Sequence, residues 1–286
     1  MRKYSACASP GSRTPVLAAA ARAALFSVAL VTGIVDVARA EHPEISSRRS
    51  AERTNFTDGE IREGFFKIAF GAELQVGPRT ERIRKFDSPV RVYVNNLGTP
   101  DRRDDVARIV ADIRSLVAHL DMDLTNDRKV ANVFVTLVRK RDFKRAIRVA
   151  FGIERARQIQ ETLSPQCLSG FARDEHFRIQ RAEVILPVDA GEFTFYDCAY
   201  EELLQALGPI NDDRSVPWTM FNDDVQMGFF DVYDQYLLNI LYDPRVRPGM
   251  TKDEVDALLP DVLPMVRARV SRATSASGAA LPRRRQ

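Results

Sequence analysis

Histidine is nearly absent from this chain, with three in 286 residues: His42, His119 and His176. No two stand one helical turn apart, so the paired imidazoles of a zinc-peptidase helix are missing, and no Gly-x-Ser-x-Gly supplies a nucleophile elbow. His119 reads as a cation at a helix end, and His176 belongs to a charged stretch with Asp174 and Glu175. Cysteine is as scarce, at three. No acidic spacing matches a calcium loop, and there is no internal repeat. The longest apolar run falls short of the roughly 20 residues that span a bilayer.

That run lies near the start of the chain. Arg2, Lys3, Arg13 and Arg22 precede apolar residues 23–31, and Ala38-Arg39-Ala40 follows as a small-x-small cleavage pattern. The order is that of a secretory signal over residues 1–40, with Glu41 as the mature start and an uncut anchor as the alternative. Cys7 precedes the apolar run and no Cys sits at the cut, so no lipid anchor is expected. The expected location is periplasmic or secreted, with no transmembrane segment once the leader is removed. The whole chain carries 42 basic and 39 acidic residues, but the leader is itself basic, so the remainder is slightly acidic. Nothing in that balance suggests nucleic acid as a partner. Cys167 and Cys198 remain as an even pair in an oxidising compartment, which favours a disulfide worth about 3 kcal/mol over two free thiols.

Residues 41–57 are polar and read as a flexible lead-in. Residues 58–264 make one globular domain, and 265–286, rich in Arg, Ser and Ala, reads as a disordered basic tail. Inside the domain the periodicity alternates. Strands are predicted over 90–94, 130–138 and 182–188. Helices are predicted after an N-cap at Thr99 with Pro100 in the first turn, over 143–163 with a basic outer face, over 195–207, and over 233–241. A capping box at Thr251 and Glu254 opens a last helix that Pro260 should stop or kink. The fold class is α+β or α/β, a small sheet with amphipathic helices and a helical C-terminal part. Ser169-Gly170 reads as a turn. Asp212, Asp213, Asp223, Asp224, Asp231 and Asp234 read as caps and turns more readily than as a calcium site. Asp243 with Arg245 and Arg247 reads as a salt-bridged connector.

Chemistry concentrates in the third predicted helix. Glu201 and Gln205 share a face one turn apart, Glu202 stands beside them, and Gly208 ends the helix. The segment resembles, loosely, the active-site helix of a metzincin peptidase, His-Glu-x-x-His-x-x-Gly-x-x-His. Laid on that pattern, Glu202 takes the place of the general base, and Glu201, Gln205 and Asn211 replace the three zinc-binding imidazoles. Met220 takes the place of the turn beneath the metal. Amides are poor zinc donors, so zinc is not expected, whereas the oxygens of Glu201, Gln205, Asn211 and Asp212 would suit calcium. The wider run Cys198-x-x-Glu201-Glu202-x-x-Gln205-x-x-Gly208, with Asn211-Asp212, residues 221–224 and residues 241–250, resembles a bacterial exported family known as domain of unknown function 2927. That resemblance implies an exported protein and assigns no catalytic residue. The expectation is a peptidase-like scaffold that binds or supports an envelope protein or peptide without catalysis. The alternative is a hydrolase in which Glu202 activates water beside an atypical metal site.

Overall fold

Three runs of alternating Val, Ile and Leu form the middle of a five-stranded sheet. A computed structural model describes residues 41–71, 81–163, 165–209 and 211–280, with side chains to 275. The signal peptide expected over 1–40 and the last tail residues, 281–286, lie outside the described residues. The strands are β1 (Val90–Asn96), β2 (Met122–Leu124), β3 (Val133–Val138), β4 (Leu168–Arg173) and β5 (Ile179–Pro187). Their order across the sheet is β2-β1-β3-β5-β4. All neighbours run parallel except β4, which lies antiparallel to β5 at one edge.

Val90, Val92, Val133, Val135, Val184 and Leu186 belong to the main core. They meet α3 (Arg103–Leu116) and α6 (Glu192–Gln205), the helices packed against that side of the sheet. A smaller core on the opposite face joins Val138, Leu168 and Ile185 to α4 (Phe143–Phe151) and α5 (Ile153–Thr162) through Phe143, Ile147 and Ile159. The helical remainder gathers around α7 (Val232–Leu241), every residue of which is buried. Packed against α7 are α2 (Asp58–Ala69) and α9 (Leu259–Ala280). The class is α+β.

Several expectations change. The lead-in is not flexible throughout: α1 (Pro43–Ser50) buries Ile45 and stacks Arg49 over the Phe229 ring at 4.1 Å. The tail is not disordered from 265, because α9 continues to Ala280 and buries Val266 and Val270 against the core. Pro260 falls in the first turn of α9, where its missing N–H costs no hydrogen bond, so it opens that helix after the short α8 (Lys252–Asp256). Thr99 does not cap α3. The Thr99–Pro100 bond is cis, and Arg102 precedes the first turn. The helix expected over 143–163 is two helices divided at Gly152, whose φ of +81° an L side chain rarely adopts. Ser169-Gly170 is not a turn but part of β4. Among the described residues no helix is long and apolar enough to cross a membrane.

Candidate functional site

On α6 the residues Asp197, Glu201 and Gln205 recur every four positions, with Thr194, Cys198 and Glu202 beside them, so one helix face is polar. That face forms one wall of a cavity of about 490 Å³ whose other wall is β4, through Leu168, Ser169, Gly170 and Phe171. The Cys167–Cys198 disulfide ties the two walls together, with Cα atoms 5.9 Å apart. Phe151, Ile159 and Leu163 form an apolar side, and Asp212, Asp223 and Gln226 close the rim.

Gln205 spans the cavity floor. Its Oε1 accepts from Ser169 Oγ at 3.2 Å, and its Nε2 donates to Asp212 Oδ1 at 2.9 Å. The amide is therefore committed at both ends, to β4 and to the loop after the helix. Gly208 ends the helix region at φ +140°, where a Cβ would stand 2.2 Å from the Arg84 carbonyl. Asn211 donates Nδ2 to the Lys67 carbonyl at the end of α2, 2.8 Å away. Asn211, expected from the sequence to stand with Glu201, is not among the residues that line the cavity. Met220 is buried in the core, and its N–H donates to Asp234 Oδ2 at 2.8 Å. Glu201 and Glu202 both line the cavity, Glu202 being buried and Glu201 half-buried.

Electrostatics sets this cavity apart. Burial pushes the Glu201 carboxyl well above its usual range, and the neighbouring charges of Glu202, Asp212, Asp197 and Asp223 push it further in the same direction. Asp197 is raised to about 6 by burial, although its carboxylate accepts the N–H groups of Met227 at 2.7 Å and Gly228 at 3.2 Å. Arg84 lines the same cavity, is 4 % exposed, and is lowered to about 10 by burial and then by Arg173. Its Nη2 donates to the Ala69 and Gly71 carbonyls, while its Nε has no hydrogen-bond partner among the described residues. Among the described residues no group of three or more His, Cys, Asp or Glu is arranged to hold a metal ion.

The model of the family described as protein of unknown function (DUF2927) matches residues 58–261. The chain belongs to that family. None of the curated proteins matches it. The DUF2927 match takes in both cavity walls, the disulfide and α7, and stops within the first turn of α9.

Several other acidic residues of this DUF2927 chain serve as caps and ion pairs. Asp231 caps α7 by accepting the Asp234 N–H, Asp213 accepts the Ser215 N–H, and Asp223 and Asp224 flank Arg214. Asp243 pairs with Arg245 at 2.8 Å, while Lys85 Nζ donates to the Leu241 and Asp243 carbonyls. His119 and His176 lie outside the cavity lining. Sequence reasoning missed Asp197, Arg84 and Ser169 as cavity residues. Only Asp197 carried a signal, standing one turn before Glu201.

The decisive geometry lies in the backbone of β4. Ala182 N–H donates to the Asn132 carbonyl and Val188 N–H to the Val138 carbonyl, so even-numbered residues of β5 face β3. Odd-numbered residues, Glu183 and Ile185 among them, therefore face β4, where they stand opposite Gly170 and Leu168. Ser169 and Phe171 consequently direct their N–H and C=O groups outward along the free sheet edge. Among the described residues those groups have no partner.

Proposed function

We propose that this is an exported protein that binds an extended polypeptide segment by adding it as a further strand to the free edge of β4, without cleaving it. The observation that carries this reading is the outward-facing main chain of Ser169 and Phe171 on the wall of a cavity large enough for side chains. An unpaired edge supplies main-chain affinity to any extended chain, and pockets beside it select side chains. The disulfide supports the exported part of the reading, since such bonds persist in oxidising compartments. Residue chemistry favours binding over zinc-dependent cleavage. Positions 201, 205 and 211 carry no imidazole, Gln205 is held at both ends by Ser169 and Asp212, and Asn211 is bonded to the Lys67 carbonyl. A hydrolase using Glu202 as base is the second reading, favoured by the placement of Glu202 in the same cavity.

Selection from a phage-displayed library of random peptides on the oxidised protein tests both readings. The expected outcome is an enriched peptide that slows amide exchange at Ser169 and Phe171 and leaves the protein uncut. N-methylation at alternate peptide residues should abolish its binding by removing the donors that face β4. Failure to enrich any peptide, or protection confined to other segments, would overturn strand addition. Cleavage of the peptide that disappears in Glu202→Gln would establish the hydrolase instead.

A further inference from the structure

On α4 the side away from the sheet carries charge of one sign. Phe143 and Ile147 face the smaller core. Arg141 in the turn before α4, then Lys144, Arg145, Arg148 and Val149, fall on the opposite side by helical spacing, and all five are exposed. Outside the leader the chain is slightly acidic, yet residues 139–148 hold six cations and a single acid. Nearby acids do not neutralise them. Asp142 reaches Arg141 at 3.7 Å and Glu154 pairs with Arg157, whereas Lys144, Arg145 and Arg148 have no ion pair among the described residues.

A cationic face meant only for water gains nothing from apolar side chains held out among its charges, and here there are two. Val149 at 80 % and Ile153 at 73 % are the most exposed large apolar side chains among the described residues, four positions apart where α4 gives way to α5. Val149 also borders a second cavity, of about 510 Å³, whose lining joins Tyr93, Leu97 and Phe134 to Arg128 and Arg145. The acids of that lining are already paired, Asp142 with Arg141 and Glu183 with Arg181. A soluble polyanion would meet the cations and leave Val149, Ile153 and this recess bare. A bilayer containing anionic lipid offers phosphates to the cations and, just beneath them, an apolar layer for the side chains between.

We propose that the outer side of α4 docks on an anionic lipid surface, with Lys144, Arg145 and Arg148 on the headgroup phosphates and Val149 and Ile153 in the headgroup–acyl boundary. The contact is peripheral and does not depend on strand addition at β4.

The test is co-sedimentation of the oxidised full chain with vesicles of phosphatidylcholine alone, or of phosphatidylcholine with about one-third phosphatidylglycerol. Lys144→Gln/Arg145→Gln/Arg148→Gln should lower affinity for the anionic vesicles by roughly 10- to 100-fold and leave binding to the neutral ones unchanged. High salt should weaken the unaltered chain on anionic vesicles more than the triple variant. Val149→Gln/Ile153→Gln should weaken anionic binding several-fold and keep its salt dependence. Both variants change exposed side chains and should unfold at the temperature of the unaltered protein. Whatever the leader contributes stays in every variant, so the comparison isolates α4. A triple variant that binds anionic vesicles like the unaltered chain, or loses as much on neutral ones, would overturn the proposal. So would an unaffected double variant, which would mark a site for polyanions in general and not a lipid face.

Discussion

Glu52 follows α1 and accepts the Val232 N–H at the first turn of α7, close to Asp231. Burial raises its carboxyl from the ordinary 4.5 to about 7, the Val232 N–H and Arg49 opposing that rise and Asp231 adding to it. The folded protein therefore holds a proton on Glu52 that the unfolded chain gives up between those values. Stability from this group is present below pH 4.5 and is lost as pH rises through about 7. Glu52→Gln keeps an oxygen for Val232 and should flatten this part of the profile, as urea midpoints measured across that window would show. Little of this was readable beforehand, because Glu52 lies in a polar run with no apolar period to mark its burial. On α6 the four-residue spacing made Glu201 and Gln205 legible as neighbours. The bonding of Asn211 was not, because its partner is a carbonyl at the end of α2, far away in sequence.

Elements with strong periodicity were legible: β1, β3, β5, α6 and α7 all fall where alternation or a helical stripe placed them, with boundaries shifted by a few residues. The site's second wall was not. The residues of β4 read Leu-Ser-Gly-Phe-Ala-Arg, with no β-branched side chain and a Gly in the middle, so the strand forms because β5 and the disulfide hold it rather than by its own propensity. α2 escaped notice although Thr57 and Glu60 form a reciprocal capping box. Its cap lies in a stretch where charge outweighs apolar period. The covalent tie bears on the same elements. Cys167 and Cys198 are 31 residues apart, so replacing both by Ser should cost about 3–4 kcal/mol in denaturant unfolding. Loss of well under 1 kcal/mol would show that the two walls hold each other by packing alone.

At the scale of the whole molecule, the C-terminal segment belongs to the fold. Composition marked residues 265–286 as tail because Arg, Ser and Ala dominate there, and two Val spaced one turn apart were too sparse a stripe to outweigh them. Those two, Val266 and Val270, are buried at 5 % and 2 % exposure. Arg267 reaches Asp58 and the Phe56 carbonyl, fastening α9 to the start of α2. Ending the chain after Pro264 should lower unfolding free energy by about 3–5 kcal/mol, from the apolar burial lost. A midpoint that stays put would return the segment to the status of a tail.

A bare rim on a sheet has a hazard as well as a use, since it offers other copies of the same chain a template on which to stack. Here the flanking carboxylates would meet their own counterparts whenever two molecules approached rim to rim. The acid beside β4 would therefore count against such stacking.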